Sequence, residues 1–345
     1  MDHDRLSGRQ CYFLLTLFLL GNLVTASGAR GTHAGWLIFS VLSLFSVGVF
    51  FLYAKAAAHQ PAGSVFICTL GKHTGTFFTI LYCVLSVLLA GDAIRLFADF
   101  IVINDLNDAG AWGNSALLTL TVLLMMYCEM HSLGKAAWAV QPLAILFLIL
   151  SIFFTLDQMD PHRILPLFAE SHETLIKGFI GSFSTIITAS FFPIFMMAEY
   201  APKKWSGYLY AAGMTACLLL AVICLRNSAV LGYPAISMFR FPAYAAANTH
   251  RHSEILISAV FVLCQPFRTL LCLRFTQSCL IHWFPRWSKL YPPLLLGLAV
   301  LSGVLSWSSE QVRWRTIGES VTAALFLLGP ILVLVTEKIR TMHKA

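Results

Sequence analysis

The chain reads as an all-α polytopic membrane protein of about ten transmembrane helices, and three observations carry that reading. Of its 345 residues 58% are hydrophobic and 11% charged, with a mean hydropathy of +0.76. A soluble domain carries about 25% charged residues, so this chain has too few to cover a surface facing water. Ten apolar stretches are each long enough for a ~30 Å hydrocarbon core, which needs about 20 residues per helix. The 23 Lys and Arg are scattered between these stretches, the pattern of loop charges and not of a polyanion-binding block. A soluble enzyme, a nucleic-acid binder and a disordered regulator are thereby excluded.

The ten stretches are 10–29, 34–55, 76–104, 115–133, 136–156, 176–200, 206–226, 253–280, 291–308 and 317–337. The third and eighth are overlong and amphipathic, which predicts tilt or extension past the membrane surface. The connections leave no room for a soluble domain, so residues 1–345 form a single transmembrane domain. Arg5, Arg9, the run Cys11–Leu20 and the small residues that follow resemble a signal peptide. The same Gly- and Ser-containing stretch fits a broken first helix, which is the reading adopted.

With the N-terminus inside, thirteen Lys and Arg fall on the cytoplasmic side and eight on the outer side, among them Arg163, Arg226 and Arg240. This asymmetry predicts that both termini are cytoplasmic. Ten helices with both ends inside allow two halves of five, about 1–156 and 170–345. An odd number per half inverts the second relative to the first, as in many secondary transporters. In that plan the first helix of each half is interrupted at the midplane, so spans one and six should be broken. Gly21-Asn22 and Thr25 mark the first, and Gly178 to Ser184-Thr185, with Thr188 beyond, mark the second. Gly weakens a helix and small hydroxyls take over freed backbone bonds, although the same residues also make ordinary helix-packing surfaces.

Ionisable groups at membrane depth are costly and therefore candidates for function. Asp92, Arg95 and Asp99 are spaced three and four apart, on one face of span three. They read either as a structural ion pair near the outer end of a tilted helix or functionally, as a gate or a proton-responsive carboxylate. Gln265-Pro266-Phe267-Arg268 interrupts span eight, where Pro266 frees a carbonyl. Arg268 then binds a carboxylate ligand, faces an aqueous cavity, or pairs with an acid on another helix. The nine cysteines show no CxxC pair, and His250 and His252 point to different faces, so no metal or cofactor is expected. The eight Trp residues near span ends read as an interfacial belt.

Several strings in order resemble the spore germination protein family, the B-type integral subunits of nutrient germinant receptors. They are Leu6-Ser7-Gly8-Arg9-Gln10, Ile94-Arg95-Leu96-Phe97-Ala98-Asp99-Phe100, Ile164-Leu165-Pro166-Leu167-Phe168, Pro202-Lys203-Lys204, Ser228-Ala229-Val230-Leu231-Gly232 and Phe241-Pro242. The resemblance implies the amino acid–polyamine–organocation superfamily and its five-plus-five inverted-repeat fold. It also implies sensing of a small nutrient, typically an amino acid, in the inner membrane of a bacterial spore. The implied partners are an A-type membrane subunit and a C-type lipoprotein. Relatives often carry a Phe-Pro-Phe-Gly-Glu type motif in span six, where this chain has Ser184-Thr185-Ile186-Ile187-Thr188. Arg268 stands where relatives often have a Lys.

The reading that results places a zwitterionic amino acid between spans one, three, six and eight. Backbone N–H groups near Gly21 and Asn22 would take its carboxylate, while Ser184, Thr185 and Thr188 would take its ammonium. Thr25, Gln265 and Arg268 complete the expected ligand set, and Asp92, Arg95 and Asp99 the gating or ion-coupling set. The alternative is a proton-coupled amino acid or amine secondary transporter. A membrane enzyme finds no support, since no nucleophile–base set is evident.

Overall fold

The computed structural model describes residues 5–21, 34–57, 60–104, 110–165, 171–202, 204–232, 235–250, 253–305 and 311–342, with backbone alone at 237, 305, 311–320 and 322. Ser7 and Gln10 form a reciprocal capping box: the Ser7 N–H donates to Gln10 Oε1 at 2.7 Å, and the Gln10 N–H to Ser7 Oγ at 3.2 Å. This satisfies two orphan groups and starts α1, Gly8–Leu20. Gln10 then donates to His131 O at 3.3 Å, and the Leu6 N–H to Tyr200 O at 2.9 Å. The string at the chain start is therefore a pinned helix entry.

Beyond α1 come α2 (Gly35–Ala57), the short α3 (Val65–Leu70), α4 (Lys72–Ile103), α5 (Gly110–Met126) and α6 (Met130–Phe154). Two 3₁₀ turns, Leu156–Gln158 and Pro161–Ile164, precede α7 (His172–Ala198) and α8 (Ser206–Leu231). A strap holding α9 (Ala235–Met238) and α10 (Pro242–Ala247) leads to α11 (Glu254–Trp283), then α12 (Tyr291–Leu305) and α13 (Gln311–Met342). Ten helices of thirteen or more residues lie among the described residues, each overlying one predicted stretch. Six of them are long and apolar enough to cross a membrane. The chain is a multi-pass membrane protein.

The ends of the stretches move for physical reasons. The fourth was expected to run through 127–129, but α5 stops at Met126 and Glu129 begins α6. Arg274 of α11 donates to the carbonyls of Met125 and Cys128 there, a cation at the negative end of a helix. Arg226, counted among the outer-side charges, lies inside α8, and Arg274 lies inside α11. Trp205, read as part of an interfacial belt, is buried at 3% exposure.

The clearest correction concerns span six. α7 is continuous from His172 to Ala198. The Thr185 hydroxyl donates to Gly181 O and the Thr188 hydroxyl to Ser184 O, both at 2.9 Å. These hydroxyls add to existing helix bonds instead of replacing broken ones. Between Ser182 and Phe192 there is no Gly or Pro to open the helix, and Pro193 removes one donor without ending it.

α7 and α11 form the interior of the bundle: 72% and 61% of their most apolar windows are buried, against 28% for α6 on the periphery. α1 packs on α6, α7, α8 and α11, while α4 packs on α11 and α12. At the α4–α12 crossing the backbones nearly touch. A Cβ added at Gly91 would lie 2.5 Å from Ala299 O, and one at Gly303 2.7 Å from Gly91 O. Small residues permit such close approach between membrane helices.

Candidate functional site

Thirteen residues of α1 span about 20 Å at 1.5 Å per residue, short of a ~30 Å hydrocarbon core. The helix thus ends inside the bundle, at the buried Gly21. The Gly21 N–H still donates to Leu17 O at 3.0 Å, and its carbonyl accepts from Gln265 Nε2 at 2.6 Å. Gln265 is fully buried, and its other polar atom, Oε1, has no hydrogen-bond partner among the described residues. One turn further along α11, Arg268 lies against the same helix end. A Cβ on Gly21 would stand 3.3 Å from the Arg268 side-chain carbons. Pro266 between them offers no N–H to the preceding turn.

This arrangement inverts one expectation. The last turn of a helix exposes carbonyls and the negative end of its dipole. Gly21 therefore has no N–H to give a carboxylate; its end of α1 suits a cation, and Gln265 and Arg268 answer it. Asn22 and Thr25 lie outside the described residues. On α7, Thr185 reaches a small apolar cavity also lined by Leu19, Phe39, Ala189, Cys217 and Leu220. Ser184 is buried and Thr188 half-buried, and the structure brings neither into contact with Gln265 or Arg268 by a hydrogen bond among the described residues.

The second expected cluster is on α4. Asp99, 8% exposed, pairs with two guanidinium groups: it forms an ion pair with Arg95 Nε at 3.5 Å, one turn back, and accepts a hydrogen bond from Arg240 Nη2 at 2.5 Å from the strap. Asp92 sits two turns earlier on the same helix, half-buried. Phe100 makes edge contacts with Phe241 and Tyr244 of the strap at 5.1 and 5.6 Å. The Arg95–Asp99 pairing was legible in the spacing; Arg240, 141 residues away, was not.

Arg226 was also missed. It is 1% exposed, the largest fully buried side chain described. Its guanidinium donates to Ser151 Oγ at 2.7 Å, Asn227 Oδ1 at 2.8 Å and Ala243 O at 2.6 Å. It thereby ties α6, α8 and the strap together through neutral oxygens. The available signal was the adjacent Asn227 and the apolar Ala229-Val230-Leu231 beyond it, which together extend the span past Arg226. Arg163 caps the same region by donating to Val230 O, while the Asp160 N–H bonds Ala229 O at 3.0 Å.

Among solved structures, the crystal structure of MhsT in complex with L-phenylalanine shares this fold. Its TM-score is 0.70 at 16% identity, over 93% of this chain and 87% of that one. A search of curated proteins finds no match. The profile of the spore germination protein family matches residues 5–263, taking in α1, the Arg95–Asp99 pair, the Arg226 anchor and the strap. The chain belongs to the spore germination protein family.

Proposed function

We propose that this chain is the nutrient-sensing subunit of a spore germinant receptor, and that its ligand is an amino acid held at the inner end of α1. The single observation that carries this reading is the polar junction of Gly21, Gln265 and Arg268 at the buried end of α1. Arg268 takes the ligand carboxylate through a charge-assisted bond. Gln265 Oε1, a buried acceptor in need of a donor, takes the ammonium, favoured by the negative end of α1. Thr185 and the apolar walls beside it receive the side chain. Ligand binding then biases one of two helix arrangements by its differential affinity for them.

The helix lengths support a five-plus-five repeat. The second to fifth long helices have 23, 32, 17 and 25 residues, and the seventh to tenth 26, 30, 15 and 32. Long third members and short fourth members recur in both halves. In this reading the subunit lies in the spore inner membrane with both termini cytoplasmic, beside an A-type membrane subunit and a C-type lipoprotein. No catalytic step is assigned to it.

A second reading, a proton-coupled amino acid or amine carrier, draws on the shared fold with a protein crystallised with L-phenylalanine. Deletion of the gene in the source organism separates the two. Scored against a panel of amino acids, sugars and nucleosides, loss of germination to one nutrient with unchanged vegetative uptake supports the receptor. Normal germination with impaired uptake supports the carrier. Within the receptor reading, Gly21→Leu or Thr185→Phe abolishes the nutrient response in protein that still reaches the membrane.

A further inference from the structure

Tyr82 lies on α4 ten residues before Asp92; its side chain is fully buried, and its hydroxyl meets the backbone of α13. It donates to Leu325 O at 2.9 Å. Leu325 O is the carbonyl that the Gly329 N–H meets in an α-helix, so the hydroxyl brings it a second donor. A Cβ at Gly329 would stand 2.0 Å from the hydroxyl oxygen, so only glycine leaves room for it. The next residue, Pro330, lies within α13 and has no N–H to offer Phe326 O. Proline thus removes one turn-closing bond, and the carbonyl just before it takes a side-chain donor. Proline is a recognised cause of a helix bend.

The ring of Tyr82 is held from three sides. It stacks on Phe326 of α13 at 5.5 Å, lies 4.6 Å from Phe191 of α7 and 5.0 Å from Phe66 of α3. At the far end of α13, Arg340 donates to Cys68 O at 3.0 Å, within the same short helix.

We propose that residues 325–330 are a hinge in α13, that the Tyr82 hydroxyl pins it, and that movement of α4 and α7 reaches the C-terminal segment 331–342 through this pin. The inference rests on the fold and not on the identity of any ligand. It is tested on the full-length protein in nanodiscs by amide hydrogen exchange. Tyr82→Phe keeps the ring and removes only the hydroxyl; amides of 326–342 should then exchange about threefold to tenfold faster, the worth of one hydrogen bond. Gly329→Ala, which displaces the hydroxyl from the other side, should do the same. Pro330→Ala restores a donor to Phe326 O and should slow exchange in the same segment. Amides of α11 serve as the control and should not change. Unchanged or slower exchange in Tyr82→Phe, or no slowing in Pro330→Ala, overturns the proposal.

Discussion

Gln265 donates its side-chain amide to the carbonyl of Gly21 across 244 residues of sequence, at 2.6 Å and out of contact with solvent. The bond closes the end of a helix that stops within the bundle. Gln265→Leu, close in volume but without the donor, leaves Gly21 O buried and unbonded. We expect a loss of about 1–3 kcal/mol, read as a lowered midpoint of thermal unfolding in detergent. A midpoint equal to that of the parent protein would show that α1 is not held there.

Two glycines, Gly91 on α4 and Gly48 on α2, should respond differently to the same change. Gly91 faces α12 so closely that Gly91→Ala must push Ala299 O away. We expect a loss of about 1–3 kcal/mol from overpacking. Nothing lies within 4 Å of a Cβ at Gly48, so Gly48→Ala should be neutral or stabilising by up to about 1 kcal/mol, since alanine favours helix. Unfolding midpoints of the two variants, measured side by side, check the contrast.

The strap is tied to α4 by charge as well as by aromatic contact. Arg240 is 45% exposed, so solvent screens its pairing with Asp99, and the coupling should be about 1 kcal/mol or less. A double-mutant cycle of Asp99→Asn and Arg240→Gln measures it. The double variant should be less destabilised than the sum of the single ones. Strict additivity would mean that the two side chains do not interact in the membrane.

Arg226 is expected to be worth more. Arg226→Met strips donors from Ser151, Asn227 and the Ala243 carbonyl at once. Each buried acceptor left unbonded costs about 1–3 kcal/mol, and the strap should loosen. Limited proteolysis within 235–250 reports it directly, with faster cleavage in the variant. Equal cleavage rates would place the anchor elsewhere.

Much of the fold was legible because the bilayer imposes a length on apolar runs, and each of the ten runs overlies one long helix among the described residues. Their ends were less legible. Arg226 was counted with the outer-side charges because sequence alone shows the cost of a cation in a span without showing the oxygens that surround it. The expected break in span one was placed at Gly21; α1 stops at Leu20, and the rest of that stretch lies outside the described residues. The break in span six was inferred from hydroxyl residues, but Thr185 and Thr188 bond back to their own turns. Hydroxyls permit a break without causing one. Arg95 and Asp99 share a helix face and could be paired from spacing, whereas Arg240 reaches Asp99 only through tertiary folding. Likewise, Gln265 and Arg268 stood out as polar groups in an apolar run, but that both converge on Gly21 required the folded chain.

The most direct test of the ligand site is the thermal stability of purified protein with each of a panel of amino acids, for the parent chain and for Arg268→Met. A ligand at about 100 times its Kd stabilises the bound state by about 2.7 kcal/mol, a shift of several degrees. The account predicts that an amino acid raises the midpoint of the parent protein and leaves that of Arg268→Met unmoved. An equal rise in both, or no rise with any amino acid, would contradict it.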